Sequence, residues 1–548
     1  MKSLKINYCR FVPLYFYAAV LAAIFLFSFP VHSQEPSFTI LCLAAHPDDE
    51  DGATLAYYNY LYGYDAYTIF YTRGEGGQNE IGPELNDKLG KIREQECYDA
   101  ANIQGSKAFF LGELDFGFSK TAKETFRFWG GEDSVLARLV YMIRVIRPDV
   151  VITNHDTITT KPNRQHGNHQ AVGITIYEAF DKAADYRYHP EQLVNGLEPW
   201  QIKKLFFRSF DSTKADLYKI DISKTITYNN TSIAQISSEA LSKHKTQGMD
   251  KVDKNSPFFF GNRFYQLIRS DKEYHGEGND LFSGLTHNMK WNTSELKSYE
   301  TNYSYRTVSA EDSLRILNEV AVASHRRIGL VKTYDNTIEN VLKSFNIEYD
   351  TLSPLAVEVW DLNRYSSIIL DLRAYAYRPD LVEFNKGFLK YAEGGGNLIC
   401  FYNKPQDWND KADLAPYRIY ISGERVTEED ADVQVLLPEH PFFNEPNKLN
   451  ESDWSGWIQE RNIYLPSDKP GTDIKTSTEY QRLLAMQDEN DPVPSTSLLF
   501  AAYQYGTYTY CSLALYRQLK IFHKGALKLF MNMISQTTAN QRSILNIR

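Results

Sequence analysis

The run His46-Pro47-Asp48-Asp49-Glu50-Asp51 places an imidazole and adjacent carboxylates directly after the apolar stretch at residues 38–45. Histidine nitrogen and carboxylate oxygen are ligands of hydrolytic zinc ions, which keep one coordination position open for water. One carboxylate can bind the metal while its neighbour takes a proton from the activated water. The proline restricts the turn and helps to hold these two tasks apart. The run therefore predicts half of a divalent-metal site.

A second polar cluster, His166-Gly167-Asn168-His169, follows the predicted strand at residues 149–153. Its two histidines are three positions apart, which places them on one face at the start of a helix. One imidazole can complete the set of metal ligands while the other reaches a substrate oxygen. The five cysteines form no CxxC pair, which argues against a thiolate site. The two clusters together predict a metal-assisted hydrolase.

Alternating strand-like and helix-like segments at residues 38–210 must position these clusters. Apolar runs such as residues 67–72 read as strands, and residues 85–103 read as an amphipathic helix with period near 3.6. This alternation predicts an α/β fold with a mostly parallel sheet and helices on both faces. In such sheets ligands bind beyond the carboxyl ends of the strands, where both clusters lie.

The length of 548 residues predicts several domains rather than one core. Residues 211–325 have β-containing, mixed character and are interpreted as an extension packed on the catalytic domain. A second alternating pattern begins near residue 326 and predicts a flavodoxin-type α/β domain. The predicted division is a signal peptide at 1–33, a catalytic domain at 34–210, an extension at 211–325 and a second α/β domain at 326–548.

The N-terminus has the composition of an export signal. Three basic residues (Lys2, Lys5 and Arg10) precede an apolar stretch at 11–29, and small residues follow up to Ser33. Cleavage after Ser33 predicts an exported protein, periplasmic or extracellular, with no membrane span after cleavage. A retained N-terminal membrane anchor is the alternative, because the stretch approaches the length of a spanning helix.

The overall charge limits the classes of partner. A formal net charge of −10 without a basic stripe argues against nucleic-acid binding and against docking on an anionic membrane. Aromatic residues make up 14% of the chain, and they either fill β-rich cores or stack on sugar faces. The sequence leaves the oligomeric state open.

Four motifs resemble the PIG-L/LmbE family of zinc-dependent N-acetylglucosaminyl de-N-acetylases. They are the segment 45–50, the loop Thr72-Arg73-Gly74-Glu75-Gly76-Gly77, the helix segment Arg93-Glu94-Gln95-Glu96 and the cluster 166–169. The resemblance covers about a third of the chain. It implies a Rossmann-like fold and hydrolysis of an N-acetyl group from an amino sugar or its conjugate.

The resemblance also implies roles for individual residues. Three residues would bind zinc: His46, Asp49 and His169. Asp48 would be the general base, His166 would act as general acid or oxyanion stabiliser, and Arg73 would contact the substrate. The pair Gly167-Asn168 departs from the Pro-Asp of many members, which puts a carboxylate partner for the site in doubt. Iron or manganese are alternatives to zinc, because a histidine and carboxylate set accepts several divalent metals.

The second α/β unit resembles class I glutamine-amidotransferase-like domains in pattern more than in motif. Cys400 lies inside an apolar strand rather than in a Gly-flanked turn, and no histidine directly follows the late strand at 506–515. An active thiol needs an activating base nearby, so this domain is predicted to be inactive.

The sequence therefore predicts an exported zinc-dependent deacetylase acting on an N-acetylglucosamine-containing or related amino sugar. One alternative is an amidase that cleaves a larger acyl or conjugate amide at the same metal. Another is a non-catalytic carbohydrate-binding protein, against which the intact Asp48 speaks.

Overall fold

The structure is a computed structural model. It describes residues 37–77, 79–156, 165–193, 197–226, 230–253, 261–272, 280–286, 296–301, 309–324, 326–353, 356–357 and 361–536. The predicted signal peptide at 1–33 lies outside the described residues. Within these ranges, no helix combines the length and the apolar character that crossing a membrane requires.

A seven-stranded sheet organises the N-terminal unit, with spatial order β3-β2-β1-β4-β5-β7-β6. The strands are β1 (Thr39–Ala44), β2 (Asp65–Thr72), β3 (Ser106–Glu113), β4 (Val150–Thr153), β5 (Lys204–Ser209), β6 (Tyr218–Ile220) and β7 (Arg263–Ser270). Strands β1 to β5 are parallel, and β7 joins β5 in the antiparallel sense. The parallel part has the Rossmann order 3-2-1-4-5, which reverses direction between β1 and β4. Ligands bind in the crevice at such a reversal.

Six helices accompany this sheet in the described residues: α1 (Gly52–Tyr62), α2 (Asp87–Gln104), α3 (Ala122–Phe128), α4 (Glu132–Ile146), α5 (Gly167–Lys182) and α6 (Ile233–Leu241). The strands are apolar along their length because helices cover both faces; β4, for example, is buried at every residue. Side chains of β1 point alternately into two separate cores, with Leu41 and Leu43 in one and Ile40 and Cys42 in the other. The mostly parallel α/β architecture predicted for this unit is confirmed.

The segment predicted as an extension packed on the catalytic domain adds two strands to the first sheet. Strands β6 and β7, both beyond residue 210, pair with each other and with β5. Helix α6 packs on α1 and α2, so it belongs to the same layered unit. The domain division at 210 stays a prediction.

An eight-stranded sheet organises the C-terminal unit, with spatial order β14-β17-β18-β19-β11-β10-β8-β9. Its strands are β8 (Arg327–Val331), β9 (Glu348–Thr351), β10 (Ser367–Leu370), β11 (Asn397–Phe401), β14 (Val433–Val435), β17 (Gln481–Met486), β18 (Ser495–Tyr503) and β19 (Gly506–Cys511). Strands β9, β8, β10, β11 and β19 are parallel neighbours, and the others are antiparallel. The assignment to the flavodoxin type stays a prediction.

Helices and short strands complete the C-terminal unit. The helices are α7 (Ala310–Glu319), α8 (Thr337–Ser344), α9 (Ala374–Tyr377), α10 (Asp380–Glu393), α11 (Pro405–Trp408), α12 (Leu515–Lys520) and α13 (Lys524–Ile534). Two short pairs, β12 (Tyr420–Ile421) with β16 (Pro466–Ser467) and β13 (Arg425–Val426) with β15 (Asn462–Ile463), lie in the insertion between β11 and β17.

Cys400 is buried within β11, and burial raises the pKa of its thiol to about 12. A thiol with that pKa carries almost no thiolate at neutral pH, so it is a poor nucleophile. The inactivity of the C-terminal unit stays a prediction.

Candidate metal centre

Of the four carboxylates in the polar turn after β1, two make structural contacts and two remain for the candidate metal site. Asp51 caps the start of α1 by accepting the Thr54 backbone N–H, and it also accepts hydrogen bonds from Arg208 (3.1 Å) and Tyr265 (2.6 Å). Glu50 lies 3.1 Å from Nε2 of His244 and accepts from Gln104. Both carboxylates are buried in these contacts, which leaves Asp48 and Asp49 for the site.

Backbone contacts fix the turn itself. The carbonyl of Asp49 accepts a hydrogen bond from Nδ2 of Asn154 at 2.6 Å, and the carbonyl of Pro47 accepts one from Gln247 at 2.6 Å. Asp48 has a φ of 81°, a left-handed conformation that is uncommon for a non-glycine residue. Such strain persists only where surrounding contacts hold it, and it is frequent at functional sites.

Three predicted ligands converge at the crevice between β1 and β4. Oδ2 of Asp49 lies 3.1 Å from Nδ1 of His46 and 3.2 Å from Nε2 of His169. Nε2 of His169 is buried and makes no hydrogen bond among the described residues. The sequence separates His46 from His169 by more than a hundred positions, and the fold joins them because β1 and β4 are parallel neighbours.

The donor types suit a zinc ion. Tetrahedral zinc with bonds of about 2.0–2.2 Å separates its ligand atoms by roughly 3.3–3.5 Å, close to the two separations from Asp49. In the described residues, two groups of three side chains bring all their ligand atoms within 4.8 Å of one another: His46 with His166 and His169, and Asp49 with His155 and His169. His169 belongs to both groups, so the three predicted ligands are divided between them. Burial opposes ionisation of Asp49, yet the His169 and His46 imidazoles hold its pKa well below the ordinary value. A carboxylate that stays ionised among imidazoles, with one ring nitrogen lacking a hydrogen bond, suits a divalent cation.

His155 is a further imidazole at this centre that the sequence analysis missed. It lies just beyond the carboxyl end of β4, with its ring centroid 4.2 Å from that of His169. Its Nε2 lies 3.8 Å from Oδ2 of Asp49 and accepts a hydrogen bond from the backbone N–H of Ala45 at 2.9 Å. This hydrogen bond occupies the lone pair of Nε2. Burial and the neighbouring His169 lower the pKa of His155 well below its usual value. His155 therefore packs against His169 as a neutral ring, and it belongs to one of the two groups of candidate ligands. Its position at a strand end was the available signal.

His166 and Asn168 flank the candidate ligands at the start of α5. The ring of His166 lies 3.9 Å from that of His169, and its Nδ1 is buried without a hydrogen bond among the described residues. Burial, then repulsion by His169 and His46, lowers the pKa of His166 well below its ordinary range, which keeps the ring neutral. Asn168 is fully buried, and its Nδ2 lies 3.1 Å from Nε2 of His46. It takes the position where a carboxylate partner was in doubt.

Asp48, the predicted base, lies beside Asp49. Burial, then the Asp49 charge, raises the pKa of Asp48 to about 7. No hydrogen bond or ion pair engages its carboxylate within the described part of the chain. A carboxylate with this pKa can accept a proton near neutral pH.

Two cavities approach the centre from different sides. One of about 300 Å³ is lined by Asp48, Asp49 and His169, and another of about 250 Å³ by His46 and His166. The candidate ligands thus form the wall between them.

Arg73, the predicted substrate contact, is placed elsewhere. Its guanidinium donates to Asp87 at 3.2 Å, and it is not among the residues that line either cavity. The second cavity is bordered instead by Gly76 of the same loop, where a Cβ atom would meet the Asp115 carbonyl at 2.3 Å. Only glycine fits this close approach. The role of Arg73 in substrate contact stays a prediction.

Known proteins resemble the N-terminal unit. Residues 41–180 match the family model described as PIG-L, GlcNAc-PI de-N-acetylase. The chain is 27% identical over 300 residues to a 1D-myo-inositol 2-acetamido-2-deoxy-alpha-D-glucopyranoside deacetylase of Geodermatophilus obscurus, covering 46% of this chain and 99% of that protein. It is 32% identical over 186 residues to the deacetylase of the same name from Thermobispora bispora, covering 30% of this chain and 57% of that protein.

Among solved structures, an N,N'-diacetylchitobiose deacetylase from Pyrococcus horikoshii matches with 18% identity and a TM-score of 0.32, covering 48% of this chain and 94% of that chain. The family match ends before the C-terminal unit, whose resemblance to glutamine amidotransferases stays a prediction. The N-terminal unit is thus similar to the PIG-L family model over residues 41–180, and the relatives it resembles are deacetylases.

Proposed function

We propose that the protein is a zinc-dependent hydrolase that removes the N-acetyl group of an amino-sugar-containing substrate. The observation that carries the proposal is the convergence of Nδ1 of His46, Oδ2 of Asp49 and Nε2 of His169 beside the carboxylate of Asp48. The related deacetylases support the choice of an acetamide on a glucosamine unit as the bond that is cleaved.

The side chains have separable roles in this reaction. A zinc ion held by His46, Asp49 and His169 would lower the pKa of a water molecule and polarise the amide carbonyl. Asp48 accepts the proton of the attacking water and returns it to the amine nitrogen as the C–N bond breaks. His166 donates a hydrogen bond to the carbonyl oxygen as negative charge develops there, since its ring is neutral and its Nδ1 is without a partner.

Metal analysis combined with an acetate-release assay tests the proposal. The purified full chain is expected to hold about one zinc ion and to release acetate from N-acetylglucosamine glycosides. Asp48→Asn is expected to retain zinc and to lose activity by about 100-fold or more, the usual contribution of a general base. Asp99→Asn, which alters an exposed carboxylate that lines neither cavity, is the matched control. Near-normal acetate release by the Asp48 variant would refute the role of that residue.

The same assay separates the rival functions. An amidase of larger acyl groups would bind zinc but release a longer acid in place of acetate from matched N-acyl glucosamines. A carbohydrate-binding protein would bind the sugars without releasing any acid. Acetate release that depends on the metal supports the deacetylase alone.

Export of the protein is a further part of the proposal. The basic residues and the apolar stretch before Ser33 support it. Mass analysis of the protein recovered from its native cells is expected to find Gln34 at the N-terminus. Recovery of the intact N-terminus in a membrane fraction would favour the retained anchor.

A further inference from the structure

The C-terminal unit forms one wall of the 250 Å³ cavity beside the candidate metal centre. His46 and His166 line the cavity from the first unit, and Lys404, Arg425, Glu460 and Arg517 line it from the second. The cavity is therefore completed only when the two units face each other.

Both sheets place these residues beyond the carboxyl ends of their parallel strands. Lys404 follows the carboxyl end of β11, and Arg517 lies in α12 directly after β19. Both strands belong to the parallel part of the second sheet, whose carboxyl ends are where ligands bind. The carboxyl ends of the two sheets thus meet across one cavity.

Direct contacts hold the second unit against the first at this cavity. Nη1 of Arg517 donates to the Gly76 carbonyl at 3.1 Å, and the guanidinium of Arg425 lies 4.5 Å from the ring of Phe118. Nearby, Nζ of Lys120 lies 2.8 Å from the Asp488 carboxylate. These contacts fix the cationic side chains relative to the metal centre.

The cavity lining carries three cationic side chains, those of Lys404, Arg425 and Arg517, against the two carboxylates of Glu460 and Asp115. Glu460 is buried, and one carboxylate serves two arginines, with Arg425 at 2.8 Å and Arg517 at 3.4 Å. Lys404 has no carboxylate within ion-pairing distance among the described residues. The carboxylate of Asp407 is taken by Arg373 at 3.0 Å instead. Burial, then the charge of Arg373, lowers the pKa of Lys404, so a bound anion would stabilise its charged form.

We propose that this cavity is a cationic subsite that binds an anionic substituent, a carboxylate or a phosphate, of the amino-sugar substrate. Lys404 supplies the uncompensated charge. Arg425 and Arg517, which Glu460 orients, supply directed N–H donors suited to oxyanions. The inference rests on the proposed function, because the substrate is placed here by the shared lining with His46 and His166. It assigns the C-terminal unit a part in substrate selection.

Equilibrium binding to the full chain, measured by calorimetry after metal removal, tests the subsite without requiring turnover. The probes are N-acetylglucosamine, N-acetylglucosamine 6-phosphate and N-acetylmuramic acid, which carry no anion, a phosphate and a carboxylate. At low salt the unmodified protein is expected to bind at least one anionic probe about 10-fold more tightly than the neutral sugar, as one charge-assisted hydrogen bond provides. Comparing the two anionic probes identifies the preferred anion.

Lys404→Met is expected to abolish most of this preference while leaving binding of the neutral sugar unchanged. Lys475→Met, which changes an exposed lysine that does not line this cavity, is expected to keep the preference. Lys404→Gln keeps a polar tip and replaces the methionine variant if that variant fails to fold.

Equal affinity of the unmodified protein for all three sugars, or an unchanged preference in Lys404→Met, would overturn the proposal. Failure of the deacetylase function is a separate result. If no probe releases acetate with zinc restored but the Lys404-dependent preference persists, the subsite stands and the proposed reaction falls.

Discussion

Asn168→Ala tests how the candidate metal site is oriented. Asn168 is fully buried at the start of α5, with Nδ2 3.1 Å from Nε2 of His46, while Nδ1 of the same ring faces Asp49. An imidazole that binds a cation through Nδ1 carries its proton on Nε2, and that N–H needs an acceptor. Asn168 can supply one by turning its amide so that Oδ1 faces the ring.

The surroundings permit this turn. Oδ1 now accepts hydrogen bonds from the hydroxyls of Ser119 at 3.2 Å and Thr125 at 2.9 Å. Hydroxyl groups both donate and accept, so the same two can receive the Nδ2 hydrogens instead. The amide therefore has acceptable partners in either orientation, and only one of them supports metal binding by His46.

Removing this acceptor has a calculable effect on affinity. Partners of metal-binding histidines typically contribute 10- to 100-fold in metal affinity, or about 1.4–2.7 kcal/mol. Asn168→Ala is therefore expected to weaken zinc binding by that factor. Asn168→Asp, whose carboxylate accepts the same N–H more strongly, is expected to bind zinc at least as tightly as the unmodified protein.

Competition against a chromophoric chelator measures the zinc affinity of each variant, and thermal unfolding of the metal-free proteins reports their folding. Gln170→Ala is the matched control, because Gln170 donates to the backbone of Lys120 at 2.9 Å near the same helix start. A zinc affinity of Asn168→Ala within about threefold of the unmodified protein, well below the range above, would refute this account of how His46 is held.

Three further predictions concern stability. Burial, and then the nearby Asp335, raises the pKa of Asp371 to about 7 from an unfolded value near 3.8. Protonated Asp371 therefore contributes fully to the free energy of unfolding below about pH 4, and this contribution is lost as the pH rises through 7. Asp371→Asn is expected to reduce the decline of the unfolding midpoint between about pH 4 and 7, because it removes a pH-dependent contribution of about 4 kcal/mol at most. An identical decline in the variant and the unmodified protein would contradict this prediction. Asp51→Ala removes a buried carboxylate that accepts hydrogen bonds from both Arg208 and Tyr265. Denaturant titrations are expected to show a free energy of unfolding lower by about 3–5 kcal/mol. A change below about 1 kcal/mol would argue against a structural role for Asp51. Chelation of the metal is expected to lower the thermal unfolding midpoint. The lost stabilisation is about 4 kcal/mol when the zinc concentration was 1,000 times its dissociation constant. A midpoint that does not change with chelator would count against a metal bound by the folded state.

Local sequence pattern was sufficient to predict the first parallel sheet, whereas the three candidate ligands followed from the resemblance of the motifs to the PIG-L/LmbE family. Alternating apolar strands and amphipathic helices fix a parallel sheet, and polar residues at strand ends must then gather at one edge. His46 follows β1 and His169 lies in the helix after β4, so the pairing of β1 with β4 brings them together. His155 was equally accessible to this reasoning at the end of β4.

Other features depended on contacts between residues far apart in the chain. Nothing in the run of four acidic residues indicates that Asp51 binds Arg208 or that Glu50 faces His244, because those partners come more than 150 positions later. For the same reason the sequence did not indicate that β7, in the segment interpreted as an extension packed on the catalytic domain, pairs with β5 in the antiparallel sense.

The sequence by itself indicated which side chains could hold a metal ion and accept a proton, because polar residues that follow the strands of a parallel sheet lie at one edge of it, and the motifs there resemble those of the PIG-L/LmbE family. Only the tertiary structure decided what faces them. Lys404 and Arg517 reach the cavity beside His46 because two sheets, each folded from its own segment, meet at their carboxyl ends. Docking of two folded surfaces depends on how well their shapes and charges match over the whole interface. No local pattern in the chain indicates that match.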